Sequence, residues 1–439
     1  MSNAAGEQMR ERVAWLRQVS PYFRAHRGKT FVVYLSGSAL EDENRDGIVH
    51  DICLLSSVGI KVVVVFGARP QIDAGLQGQG IESAISGGLR ACTQAAMDQI
   101  QQIVGALRLQ LEAAFTYSHH GAHSARVSSG NFVIARPVGI VNGIDLGFTG
   151  QVRRIERAAI EACLEQEEIV LISPLGYSPG GELFNIRATD LAATMASELG
   201  AAKLILFEAA TRIVDEHGDW CRQMTLAEAR AMRGRIDASS IEHELLDTAL
   251  RACQLGVPRC HILPLEVDGA LLSEVLTRDG VGTMVSNAPF DQLRAARTDD
   301  VGGILDLVAP LEREGILVKR SREKLEREID HFMVMVREDT VVACGALYPF
   351  DSHGAAEIAC VVVHPDYRGS DFGELLLQGL ESRATELGMT RVFVLTTHAI
   401  QWFGTRGYES ASVESLPVER QELYNYQRNS AVLIKQLAG

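Results

Sequence analysis

The sequence predicts an α/β protein built as two domains, and three observations carry that expectation. Through the first two thirds of the chain, short apolar runs alternate with stretches of helical periodicity, the order that builds a largely parallel sheet covered by helices on both faces. The chain is 439 residues long, more than one ordinary core accommodates. A Pro/Asn break, Asn287-Ala288-Pro289-Phe290-Asp291, then leads into a second strand-rich α/β segment of about 150 residues, a usual domain size. The expected division is a first domain over residues 1–286, a linker over 287–293 and a second domain over 294–439.

The elements follow in order. From Glu7 to Val19 the residues Met9, Val13, Leu16 and Val19 form one stripe of an amphipathic helix, suited to docking on its own domain or on a neighbouring subunit. Strands are expected over Thr30 to Leu35, Lys61 to Phe66, Glu168 to Ile172 and Lys203 to Glu208, with helices through His50 to Val58 and from Pro70. The turns Ser36-Gly37-Ser38 and Gly67-Ala68-Arg69-Pro70 fall at carboxyl ends of strands, where parallel sheets bind ligands. Beyond the break, Leu293 to Arg297 reads as a strand and Thr298-Asp299-Asp300 as the cap of a helix reaching about Leu311. Further strands are expected over Phe332 to Val336, Val341 to Leu347 and Arg391 to Thr396, with a last run from Tyr424 to Ile434.

Most of the chemistry gathers between Glu357 and Gly373. An apolar strand runs into a Pro/Asp turn, then the loop Arg368-Gly369-Ser370-Asp371-Phe372-Gly373, then a helix carrying Leu375, Leu376, Leu377 and Leu380. A loop that delivers backbone N–H groups to a helix N-terminus favours an anion such as a pyrophosphate.

Composition narrows the partners. With 46% hydrophobic and 22% charged residues the chain is foldable, and a net charge of -14 argues against nucleic acid or anionic membrane as main partners. No apolar run reaches spanning length, and Met1 to Gln8 lacks the basic-then-apolar order of a leader, so a cytoplasmic location is expected. The eight cysteines show no C-x-x-C pair or zinc-like spacing, so no metal site is expected. His119-His120-Gly121-Ala122-His123 lacks nearby carboxylates and reads as an exposed loop.

Two family resemblances sharpen these readings. Val62 to Ile72, with Gly67-Ala68-Arg69-Pro70, and Glu168 to Ile186 are similar to the amino acid kinase family, which implies a three-layer αβα domain. The family's phosphoryl-stabilising lysine is missing from Tyr34-Leu35-Ser36-Gly37, and the acidic residue of Asn185-Ile186-Arg187-Ala188-Thr189-Asp190 is out of register. Phosphoryl transfer depends on positioning and charge, so a kinase fold without kinase activity is expected. Gly256 to Ile262 and Gly269 to Met284 resemble the arginine site of arginine-inhibited members of that family. The resemblance implies that Glu274 holds the guanidinium, Gly280 and Gly282 the amino group, and Lys203 the carboxylate of L-arginine.

The later segment resembles the GNAT superfamily of acetyl-CoA-dependent N-acetyltransferases, with Asp371 replacing the central glycine of the cofactor loop. The resemblance implies that the backbone of Val361 and Val363 pairs with the pantetheine arm, while Arg368, Gly369, Ser370, Phe372 and Gly373 serve the pyrophosphate. Residues 314–323, 357–360, 394–397, Trp402-Phe403 and 423–430 further resemble the bacterial N-acetylglutamate synthase family, and that likeness spans the chain. It implies acetyl transfer from acetyl-CoA to L-glutamate as the first step of arginine biosynthesis, feedback by L-arginine, and a homo-oligomer, a hexamer. Lys319, Arg428 and Ser430, with backbone N–H groups of Leu317 and Cys360, would hold the substrate carboxylates. Glu357 is the general-base candidate, acting through water; its plain alternative is a strand-end surface carboxylate. Phe403 occupies the usual acid position, which leaves Thr396, Tyr424, Tyr426 or an unprotonated thiolate. Rival readings are an N-acetylglutamate kinase and a non-catalytic arginine-sensing module.

Overall fold

The computed structural model describes residues 3–117, 125–209, 212–277, 280–287, 291–337, 340–369, 371–425 and 430–437. The His119–His123 tract lies outside them. The chain divides into two compact units, Met1–Ala288 and Pro289–Gly439.

The first unit is organised on an eight-stranded sheet. Its order is Gln223–Thr225, Thr283–Ser286, Arg259–Pro264, Lys203–Glu208, Thr30–Leu35, Lys61–Phe66, Ile169–Ile172, Val127–Ser129. Among the described residues only the pair Arg259–Pro264 and Thr283–Ser286 runs antiparallel. The run Lys61–Phe66 shows why the central strands read as continuous apolar stretches. Val62, Val64 and Phe66 pack into one buried cluster and Val63 and Val65 into the other, so both faces are covered. A small closed barrel of Val133–Pro137, Thr149–Ile155, Leu175–Tyr177 and Leu183–Ile186 interrupts the alternation. The N-terminal helix runs over Asn3–His26, longer than its periodicity suggested. It is anchored by buried Val19 and by His26, whose Nε2 lies 3.0 Å from the Val275 carbonyl oxygen, while Val13, Trp15 and Leu16 remain exposed.

The second unit is a seven-stranded sheet in the order Asp291–Ala295, Phe332–Arg337, Thr340–Phe350, Ala355–Val363, Arg391–Thr396, Ala431–Gln436, Glu409–Ala411. Its first strand begins inside the segment read as linker, because the ladder to the next strand starts at Asp291 opposite Arg337, where an ion pair of 2.9 Å joins them. Helix Phe372–Glu386 buries Leu376, Leu377, Leu380 and Ala384 against one face of the sheet. Helix Val301–Arg313 buries Val301, Ile304, Leu307 and Val308 against the other. The cap expected near Thr298 is a 3-10 turn, in which Asp300 accepts from the Arg297 N–H (2.7 Å) and grips Arg294.

Candidate active site

The site of the second unit follows from one pair of strands. Among the described residues Ala355–Val363 and Arg391–Thr396 are the only parallel neighbours in their sheet, and their ladder covers just Ala355 to Glu357 opposite Arg391 to Phe393. Past that point the strands part. Two adjoining cavities occupy the gap, and Val361, Ala399 and Phe403 line both.

One cavity, of about 270 Å³, is polar. Glu357 stands where the ladder ends, 8% exposed, with Arg420 donating to its two oxygens at 2.7 and 3.1 Å. Leu317, Arg320, Cys360, Thr396, Tyr424 and Ser430 share the lining. Thr396 Oγ1 accepts from the backbone N–H of Ala399 (3.0 Å) and His398 (3.3 Å), so its own proton is available to donate. Tyr424 donates instead to the Ser430 carbonyl (2.6 Å).

Several expected substrate contacts are placed differently. Lys319 is exposed and outside the cavity lining, whereas the next residue, Arg320, is half-buried and lines it. The Leu317 N–H is engaged by the Leu311 carbonyl (3.1 Å). Arg428 and Tyr426 lie outside the described residues, as does Ser370 of the cofactor loop. Arg320 and Arg420 escaped sequence reading: Arg320 sits in a basic run that resembles a solvated helix start, and Arg420 is 63 positions from its partner.

The second cavity, about 340 Å³, is a mostly apolar groove lined by Val361, Val363, Tyr367, Arg368, Gly369, Gly373 and Trp402. Gly369 has φ +91°, a left-handed conformation that glycine adopts without strain. A Cβ on Gly373 would lie 3.1 Å from the Trp402 ring, so the loop passes close to it. Asp371 makes no side-chain cap to the following helix, whose first N–H groups therefore stay directed at the loop. Phe372 is not part of the groove wall. As the first helical residue it turns into the core and stacks on Tyr367, with Arg337 over both rings, bracing the loop from beneath. The groove therefore offers an unpaired strand edge, a glycine-bearing turn and a helix N-terminus in sequence. These are the features that fit an extended amide arm followed by a pyrophosphate, as in acetyl-CoA.

The first unit holds a cavity of about 420 Å³ at the carboxyl ends of its strands, lined by Ser36, Gly37, Ser38, Gly67, Arg69, Arg90, Arg187, Glu208 and Glu244. Its lining contains no lysine among the described residues, and Tyr34 stands beneath Gly67 with its phenol pushed far up by burial and by Glu208 and Glu244. Elsewhere in the unit Lys203, His261 and Glu274 are all buried. Glu274 is 2.7 Å from His261 Nδ1 and accepts from the Gly282 N–H at 2.9 Å. Burial alone would raise its pKa. The His261 hydrogen bond and charge, the Gly282 N–H and Lys203 outweigh it and hold the carboxyl below its ordinary value. A Cβ on Gly280 would fall 2.1 Å from Glu274 Oε2, and one on Gly282 would fall 2.6 Å from the Ile262 carbonyl oxygen. Gly282 is therefore held to glycine by backbone, and a side chain at Gly280 would have to push the Glu274 carboxylate from its place.

Together the splayed sheet and the kinase-like sheet define a class, an acyl-CoA-dependent acetyltransferase unit joined to an amino acid kinase-like unit. The sequence matches the amino acid kinase family over residues 29–264 and the acetyltransferase (GNAT) family over residues 303–408. Amino-acid acetyltransferases of Pseudomonas fluorescens (strain SBW25) and Azotobacter vinelandii are each 46% identical to it, over 98% of this chain and 100% of theirs. The chain belongs to the amino-acid acetyltransferase family. Among solved structures, N-acetylglutamate synthase from Neisseria gonorrhoeae complexed with coenzyme A and L-arginine is 35% identical with a TM-score of 0.86, over 97% of this chain and 99% of that one. The same Neisseria enzyme complexed with coenzyme A and N-acetyl-glutamate is similar over the same span, at 34% identity and a TM-score of 0.62.

Proposed function

We propose that this chain transfers the acetyl group of acetyl-CoA to the α-amino group of L-glutamate, giving N-acetyl-L-glutamate and CoA, as the first step of arginine biosynthesis under feedback by L-arginine. One observation carries the reading: the cofactor groove and the polar cavity share a wall, so a thioester in the first meets an amine in the second.

In this reading Arg320 and the Cys360 N–H face the glutamate carboxylates, joined by Ser430 and by Arg428 from the adjoining segment. Glu357 accepts the proton of the attacking amine through water, and Arg420 fixes its orientation. Backbone N–H near Val361 meets the negative charge that develops on the thioester oxygen. The new C–N bond forms as the C–S bond breaks, and Thr396 supplies a proton to the departing sulfur. Phe403 closes the shared wall and contributes no proton.

The segment up to residue 286 serves as the regulatory domain, and the unit whose sheet opens with the strand Asp291–Ala295 serves as the transferase. L-Arginine binds at Lys203, Glu274, Gly280 and Gly282. Because Glu274 is already satisfied by His261 and Gly282, the guanidinium enters by displacing one of them. The location is the cytoplasm; no described helix is long and apolar enough to cross a membrane. Exposed Val13, Trp15 and Leu16 on the N-terminal helix support assembly, as a hexamer. The reading is tested by mixing purified protein with acetyl-CoA and L-glutamate, with and without L-arginine. Glutamate-dependent release of CoA thiol is expected, and its absence would sink the proposal.

A further inference from the structure

Two pairs of buried cysteines differ in their surroundings. In the first unit, Cys253 donates to the Val285 carbonyl (3.5 Å), and burial pushes its thiol up to about 12 and that of Cys260 well above the usual range. Such thiols are inert. Cys344 and Cys360, in the second unit, lie on adjacent antiparallel strands at a bulge. The register slips between Cys344 and Ala346, so Cys360 and Val361 together oppose Gly345. Cys360 has φ +55°, a left-handed conformation that is strained for a side-chain-bearing residue and that re-aims its backbone into the bulge.

The bulge brings the two cysteines together: Cys344 Sγ donates to the Cys360 carbonyl oxygen at 3.8 Å, and both residues belong to one buried cluster. The neighbouring Cys344 thiol, and then the charge of Arg320, hold the Cys360 thiol below its ordinary pKa against the opposing effect of burial. Cys360 and burial drive Cys344 upward. Cys360 is thus the more acidic partner and one of the residues lining the polar cavity, while Cys344 is fully buried in the cluster the two share.

We propose that Cys360 and Cys344 form an oxidant-sensitive thiol pair, a modification site for hydrogen peroxide and hydroperoxides small enough to enter the polar cavity. The Cys360 thiolate attacks one peroxide oxygen, the O–O bond breaks, and hydroxide leaves; sulfur is oxidised to the sulfenic acid as peroxide is reduced. Cys344 then attacks the sulfenic sulfur, an S–S bond forms, the S–O bond breaks, and the thiol proton leaves with the oxygen as water. The balance is two thiols and one hydrogen peroxide giving one disulfide and two waters.

The disulfide ties down the bulge whose Cys360 N–H faces the substrate carboxylate, and acetyl transfer stops until a dithiol reduces the bond. That consequence rests on the acetyl-transfer reading; the bond itself does not. The full-length protein is treated with hydrogen peroxide, the remaining thiols are alkylated, and disulfide-linked peptides are mapped by mass spectrometry. N-Acetylglutamate formation is measured in parallel. A Cys344–Cys360 link, a mass lower by two hydrogens, and activity lost and then regained with dithiothreitol are expected. In Cys344→Ala, peroxide carries Cys360 on to the sulfinic acid and activity does not return. Absence of the link in oxidised wild-type protein would overturn the pair, whatever the variant does. A link that leaves activity unchanged would overturn its regulatory role. Inactivity of the fully reduced protein would instead count against the acetyl-transfer reading, with the mass map still deciding the thiol pair.

Discussion

Glu357 and Glu274 are equally secluded, each 8% exposed, yet they sit in opposite surroundings. Among the described residues Glu357 has one side-chain partner, the Arg420 fork, and it faces a cavity. Glu274 is held by a histidine, a backbone N–H and the field of a fully buried lysine, with Gly280 and Gly282 packed close around it. A carboxylate beside open space has a lone pair to offer an incoming proton. One enclosed by donors instead stores an arrangement that a competing cation must break. Burial alone therefore says little about what an acid does; the number and mobility of its partners decide it.

The largest effect that sharpens this contrast is on turnover. Glu357→Gln should lower kcat by about a hundred- to ten-thousand-fold while leaving the acetyl-CoA KM nearly unchanged; a loss confined to KM would move Glu357 from proton transfer to binding. Glu274→Ala should abolish the response to L-arginine. It also leaves Lys203 and His261 buried without their carboxylate, a loss of about 3–5 kcal/mol read as a lower thermal midpoint of the first unit. Inhibition that persists in the folded variant would break the assignment. Arg320→Ala should raise the glutamate KM by about ten- to a hundredfold, the value of charge-assisted hydrogen bonds worth about 1.5–3 kcal/mol, whereas Lys319→Ala should change it little. The reverse order would show that the exposed lysine turns inward with substrate.

The smallest effect concerns pH. The Glu274 pKa is lower in the folded protein than its ordinary value of 4.5. Its contribution to stability is therefore fully present above that value and lost as pH falls through the depressed folded value. The melting temperature of wild-type protein should fall more steeply on acidification than that of Glu274→Gln. Parallel slopes would show that the cluster is not ionised as described.

Much of the framework was legible because it rests on local pattern. Thr30–Leu35, Lys61–Phe66, Lys203–Glu208 and Arg391–Thr396 were readable to the residue, each a six-residue apolar run bounded by turn or polar residues. The four-stranded barrel was not, since Leu175–Tyr177 and Leu183–Ile186 are too short to show a period. The site was legible where chain neighbours act together, as at Arg368, Gly369 and Gly373, and illegible where distant residues meet. Arg420 finds Glu357 across 63 positions, and Cys360 owes its conformation to a register slip against another strand. Phe372 shows a third limit, because a motif position tells which residue occurs there and not which way its ring turns.

The early end of the ladder at Glu357 and Phe393 has a kinetic consequence. In the proposed reading an extended cosubstrate arm adds to the backbone edge beyond Glu357 as though it were a missing strand. That arm would also complete the wall shared by Val361, Ala399 and Phe403, so the amino-acid cavity is fully formed only after the cosubstrate binds. Ordered addition, acetyl-CoA first, is the expected steady-state pattern. The Val361 and Val363 amides should likewise exchange hydrogen quickly in the free protein and slowly once CoA occupies the gap.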